Sequence, residues 1–123
     1  MIGLGSDAKD LVYTRPIDFR AGIDTLIALV QNRLGMRPFS GIAYVFRSKR
    51  RDRLKILWWD QTGIWLMTKR AESREGFSWP QEHDGTYRLN ASQFTALVSC
   101  MDWRRVHASR RVLAPNTEVE VNI

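Results

Sequence analysis

"VFRSKRRDRLKILWWDQTGIWLMTKR", residues 45–70, reads as parts of three strands joined by two tight turns. The strands predicted are 42–47, 53–59 and 64–70, with "SKRRD" and "DQTG" as the connections. Gly63 is placed to close a type I turn. If Arg47 faces Arg53, one face of the meander carries Ile42, Tyr44, Phe46, Leu54, Ile56 and Trp58. With Trp59 opposite Ile64, Trp65 and Met67 join that face. It is apolar throughout, and a helix is expected to cover it.

The opposite face is split. One end carries Arg47, Arg53, Lys55 and Arg70; the other carries Leu57, Trp59, Ile64 and Leu66. An apolar patch on the second face of a sheet needs a cover of its own. Another helix, the end of the chain or a partner would serve. If neither helix lies there, a homodimer or a contact with another protein is expected.

Outward from the meander, "KDLVYTR" (9–15) predicts a short first strand ended by Pro16. Phe19, Ile23, Leu26, Ile27, Val30 and Leu34 recur at helical spacing, so a first helix is expected from Asp18, as N-cap, to a stop at Gly35. After the loop "AESREG", "FSWP" and "GTYRL" read as short extended pieces on either side of "QEHDG". "NASQFTALVSCMDW" opens with a capping box, Asn90 with Gln93, and continues with the stripe Phe94, Leu97, Val98 and Met101. The fold expected is a single compact α+β domain: a three-stranded antiparallel meander with short edge strands and two packed helices. It spans 1–105, and 106–123 form a C-terminal tail whose "TEVEVNI" alternates like a strand.

A chain of 123 residues is long enough for one real core. Its charge is lopsided: 19 Lys and Arg against 13 Asp and Glu, net +6, which favours polyanionic partners. The single cysteine, Cys100, excludes an internal disulfide and sits in an apolar helical pattern, as a buried thiol does. The N-terminus has no signal-peptide pattern and no stretch is long enough to cross a bilayer, so a cytoplasmic location without membrane contact is expected.

Catalytic patterns fail where they need residues most. A two-metal nuclease requires converging carboxylates, yet Asp52 and Asp60 flank one strand at opposite ends. A restriction-nuclease strand needs an acid two residues before its lysine, and Met67 stands before Lys69. His83 and His107 have no Cys or His at ligand spacing. No phosphate-binding glycine loop or nucleophile elbow is present. Neither an enzyme, a metal nor a cofactor is expected.

What remains is the basic hairpin: Arg47, Lys49, Arg50, Arg51, Arg53 and Lys55, joined through register by Arg70. Clustered cations at a protruding tip suit the phosphates of DNA, and a two-stranded ribbon fits a groove. The competing reading is a solubilising turn that guards a sheet edge. Trp58 shares the parity of the core, whereas Trp59 is open to base stacking.

Several runs together carry a resemblance: "DFRAGIDTL" (18–26), "PFSG" (38–41), residues 45–70, "FSWP" (77–80) and "MDWR" (101–104), in this order and at these intervals. The chain resembles the small accessory proteins, called TnpB or Orf2-like, of a large bacterial insertion-sequence family. These are encoded beside a much longer DDE-type transposase. The resemblance implies a helper role in transposition, with DNA or the cognate transposase as partner. Docking on the transposase through Leu57, Trp59, Ile64 and Leu66, without DNA contact, is the alternative. The family pattern has glycines in the basic turn where this chain has Ser48 and Arg51.

Overall fold

The computed structural model of the protein describes residues 10–81 and 85–106. The elements run β1 (Asp10–Pro16), α1 (Ile23–Ala28), β2 (Tyr44–Arg47), β3 (Arg53–Trp59), β4 (Ile64–Arg70), β5 (Thr86–Leu89) and α2 (Ala91–Val98). A π-helical stretch, Leu29–Arg33, prolongs α1, and a 3-10 turn, Trp103–Arg105, follows α2.

The strands form one five-stranded mixed sheet in the order β4-β3-β2-β1-β5. The expected antiparallel meander is present as β2–β3–β4, but it is only part of the sheet. β1 pairs parallel with β2, through the α1 crossover, and antiparallel with β5. The expectation of a three-stranded antiparallel sheet is therefore corrected. A parallel pair has no tight turn to announce it, so its partner strand is not readable from local signals. The burial of β1 from Asp10 to Thr14 on both faces fits this interior place.

The register of the first hairpin is also corrected. Leu54, not Arg53, lies opposite Arg47, and Val45 faces Ile56. Ser48 takes the place opposite Arg53: its amide donates to the Arg53 carbonyl (3.0 Å), and its Oγ accepts from the Arg53 amide (3.1 Å). A one-residue shift turns every β2 side chain over. Tyr44 and Phe46 thus join Leu57, while Val45 joins Leu54, Ile56 and Trp58. The β3–β4 register has Trp59 opposite Ile64, as expected. In the turn between them Gln61 has φ 84, which a type I turn does not contain.

Both faces of the sheet are covered within the chain. Leu26 and Val30 pack on Leu11, Tyr13, Tyr44, Phe46 and Leu57. Phe94 and Leu97 of α2, with Phe77, Trp79 and Trp103, pack on Val12, Val45, Leu54, Ile56 and Leu89. The first helix therefore covers the Leu57 face, not the Leu54 face. Each fully buried large side chain stabilises the fold by roughly 1.5–3 kcal/mol. The buried indoles are satisfied: Trp79 donates to the Tyr13 carbonyl (2.9 Å) and Trp103 to that of Ser78 (2.9 Å).

The first helix starts later than expected. Gly22 is its N-cap, without a side-chain hydrogen bond. Asp18 instead accepts from the backbone amide and guanidinium of Arg20 (3.0, 3.0 and 2.7 Å). Gly35, at φ 64, follows the helical run as a stop residue should. The second helix has the predicted capping box, with Gln93 N to Asn90 Oδ1 at 2.8 Å and Asn90 N to Gln93 Oε1 at 3.1 Å. Its stripe ends earlier than read. Cys100 lies past the helix at φ 63, half-buried, and Met101 is 57% exposed. The tail from residue 107 lies outside the described residues.

Candidate functional site

The basic turn is built around Ser48, which is buried. Its hydroxyl donates to Asp52 Oδ1 (3.0 Å), and its carbonyl accepts from the Arg51 amide (3.1 Å). Arg51 takes φ 62, the left-handed region that favours glycine. Of the two places where the family pattern has glycine, this one requires the conformation. Ser48 does not have a positive φ, and contributes its hydroxyl instead.

A second segment clamps the turn from outside. The Phe77 amide donates to the Arg51 carbonyl (2.8 Å), and the Ala71 amide to the Asp52 carbonyl (2.8 Å). The tip is therefore held to residues 71–77 and is not a free ribbon. This clamp has no signature in the sequence beyond Gly76, whose φ is 73.

Beside the turn lies an open hollow of about 430 Å³, lined by Ser48, Lys49, Arg50, Asp52, Arg53 and Arg70. Lys49, Arg50 and Arg51 are exposed. Arg53 stands directly opposite Arg70 in the β3–β4 ladder. Like charges in that relation destabilise a sheet unless something screens them. The Arg53 guanidinium rests 4.6 Å from the centroid of Phe19. Arg70 approaches Glu72 at 3.8 Å, with both side chains mostly in solvent, a pair of little energetic weight.

Two of the seven predicted cations have different surroundings. Arg47 donates from Nε to the Thr14 carbonyl (3.1 Å), and from Nη1 to the carbonyls of Ser48 (3.3 Å) and Lys49 (3.2 Å). Burial, and then the charge of Arg51, lower its pKa. Lys55 donates to the carbonyls of Phe19 (2.8 Å) and Ala21 (2.7 Å) and lies 4.6 Å above the Phe19 ring. Phe19 thus sits beneath two cations, a placement that its helical spacing did not reveal. Arg104 and Arg105 pair with Asp102 (2.9 and 3.8 Å), and Arg110 and Arg111 lie outside the described residues.

The predicted apolar patch is divided. Leu57 is completely buried under α1 and reaches no surface. Ile64 and Leu66 pack against the same core while keeping part of their surface. Trp59 is half-buried and meets Phe39 edge-on, with ring centroids 6.1 Å apart.

Among the described residues no group of three or more His, Cys, Asp and Glu could hold a metal, and no helix is long and apolar enough to cross a membrane. Asp52 and Asp60 stand just before and just after β3. His83 and His107 lie outside the described residues.

The runs that suggested an insertion-sequence accessory protein are distributed through this fold: the first-helix region, the clamped turn, and the tryptophan anchors at 79 and 103. The class is an insertion-sequence accessory protein. Residues 9–108 match the family model described as IS66 Orf2 like protein, and the chain belongs to that family. It is 42% identical over 106 residues to "Uncharacterized protein y4jC" of Sinorhizobium fredii, covering 86% of this chain and 90% of the relative. It is 34% identical over 104 residues to "Uncharacterized protein y4hO" of the same organism, covering 85% and 90%. No solved structure matches.

Proposed function

We propose that this accessory protein of transposition is non-catalytic, acts in the cytoplasm, and holds DNA through phosphate contacts at its basic turn. The observation that carries the reading is the Arg53–Arg70 cross-strand pair bordering a hollow with Lys49 and Arg50. Four cations there face one acid, Asp52, which already accepts from Ser48. Like charges gathered in this way repel one another, and an anion joining them relieves the repulsion. A duplex backbone supplies anions at regular spacing, and it releases counterions when they are met. The clamp on Arg51 and Asp52 holds the turn in one shape, which lowers the ordering cost of binding.

The test is fluorescence anisotropy with a labelled duplex across a salt series. The double variant Arg50→Glu/Arg51→Glu should bind far more weakly. Its plot of log affinity against log salt should be shallower by about 0.9 for each phosphate the turn no longer neutralises. The weakening should be similar on unrelated DNA sequences, because phosphate contacts carry no base information. A folded double variant with unchanged affinity and slope sinks the reading.

A second reading has one observation in its favour. Phe39 is 48% exposed and packs on Trp59 beside Ile64, at the end of the sheet away from the basic turn. An exposed Phe39 backed by the half-buried Trp59 fits the cognate transposase as partner. Phe39→Ala should then weaken capture of the transposase while leaving DNA affinity unchanged.

A further inference from the structure

The outer edge of β4 is the feature of this sheet that the DNA reading leaves unused. It is the last strand in the order, seven residues long, and pairs with β3 at every position without a bulge. Among the described residues nothing pairs with its other side. A long, regular, proline-free edge is a template for another strand. Such edges are commonly guarded by a lysine. Here Lys69 is folded back, its ammonium donating to the Val98 carbonyl at the end of α2 (2.6 Å). Trp65, two turns of the pleat away on the same face, is left 49% exposed.

The direction of the free backbone groups follows from the ladder. Asp60 donates to Gly63 at one end of the β3–β4 pair, and Ala71 donates to Asp52 at the other. Hydrogen-bonded and non-bonded pairs alternate between them. The bonded pairs are thus Trp58 with Trp65, Ile56 with Met67, and Leu54 with Lys69. Ile64, Leu66, Thr68 and Arg70 therefore point their amides and carbonyls away from β3.

We propose that β4 pairs antiparallel with β4 of a second copy, about a two-fold axis at Met67, joining two sheets into one. In that register Ile64 meets Arg70 of the partner subunit, and Leu66 meets Thr68 of the partner subunit. These are the four positions whose outward backbone groups have no partner strand among the described residues. Trp65 falls beside Lys69 of the partner subunit, whose stem offers an apolar bed. Met67 faces itself. No like charges meet, since the cations at 69 and 70 fall against Trp65 and Ile64. The two-fold stands perpendicular to the sheet, so both basic hollows lie on one side. Six residue steps separate the two copies of Arg70, roughly 20 Å along the strands.

The test uses the full chain. Sedimentation equilibrium should find a dimer for the native protein and a monomer for Thr68→Pro, which removes an outward amide without touching the β3 ladder. In a Cys100→Ser background, Met67→Cys should cross-link to itself on mild oxidation, because facing non-bonded residues bring their Cα atoms to about 4.5 Å. Trp65→Cys should not, being displaced from its own copy by four residue steps, about 13 Å. A native chain that is monomeric throughout the micromolar range overturns the proposal. So does a dimer in which Trp65→Cys cross-links and Met67→Cys does not. Should Thr68→Pro fail to fold, the cysteine pair still decides.

Discussion

Gly76 lies so close to the carbonyl of Arg51 that a β-carbon at position 76 would overlap that oxygen. Both residues are left-handed, at φ 73 and φ 62, and the contact is where residues 71–77 lock the basic turn. The carbonyl cannot yield easily, because it accepts from the Phe77 amide at 2.8 Å. Gly76→Ala should destabilise the protein by about 3 kcal/mol or more in urea unfolding. Gly35→Ala is the control: also left-handed, at φ 64, but with open space around it. It should cost only about 1 kcal/mol.

Arg51 separates stability from binding. A non-glycine residue in the left-handed region costs about 1–2 kcal/mol, partly offset by the greater freedom of an unfolded glycine. Arg51→Gly should therefore leave the melting temperature equal or slightly raised. The same variant should bind DNA less tightly, with a salt slope shallower by about 0.9. Equal affinity in the variant would remove Arg51 from the phosphate-contacting set.

Lys55 should behave in the opposite way. Its ammonium holds the carbonyls of Phe19 and Ala21, and so fixes the approach to α1. Lys55→Met should lower stability by about 1–3 kcal/mol, the scale of charge-assisted hydrogen bonds. The salt slope of DNA binding should not change.

Asp10 gives the protein a dependence on pH. It is buried in β1 opposite Leu89, its Oδ1 has no hydrogen-bond partner among the described residues, and burial raises its pKa to about 7. The folded state thus binds the proton more tightly than the unfolded state does. No cost arises below the unfolded pKa of 3.8. Stability should fall as pH rises from there through about 7, by a few kcal/mol in total, and then level off. Asp10→Asn should flatten that fall, as denaturant midpoints between pH 4 and about pH 8 would register. Asp60 has the reverse sign. Its hydrogen bonds from Trp65 and from Thr62 lower its pKa to about 2, so its contribution is present above the unfolded value and lost as pH drops through about 2.

The parts of the fold that local chemistry decides were legible in the sequence. β3 and β4 have the predicted ends, because alternation and the flanking turn residues are short-range signals. The same holds for the Asn90–Gln93 capping box. The interior place of β1 was not legible, since its neighbours are β2 across a helix and β5 near the other end. Nor was the register of β2, which the Ser48 hydroxyl shifts by one residue through its bonds to Arg53 and Asp52. For the site, residue type located the cations but not their surroundings. Arg50 and Lys55 look alike in the sequence, yet one is exposed and the other donates to two carbonyls. Tertiary packing separates them, and it comes from Phe19, far from the hairpin in sequence.

The interior position of β1 also orders events during synthesis. Its residues leave the ribosome first among the strands, and β2 can join them as soon as α1 has formed. The hairpins of β2, β3 and β4 are complete once Arg70 has emerged. Yet β1 keeps a bare flank until Thr86–Leu89 arrive, and the carbonyl of Tyr13 waits for the Trp79 indole from the same late stretch. The nascent chain therefore carries a half-paired strand from the arrival of β2 until that of β5. Closure of the sheet comes as one late event, when β5 and α2 are delivered together.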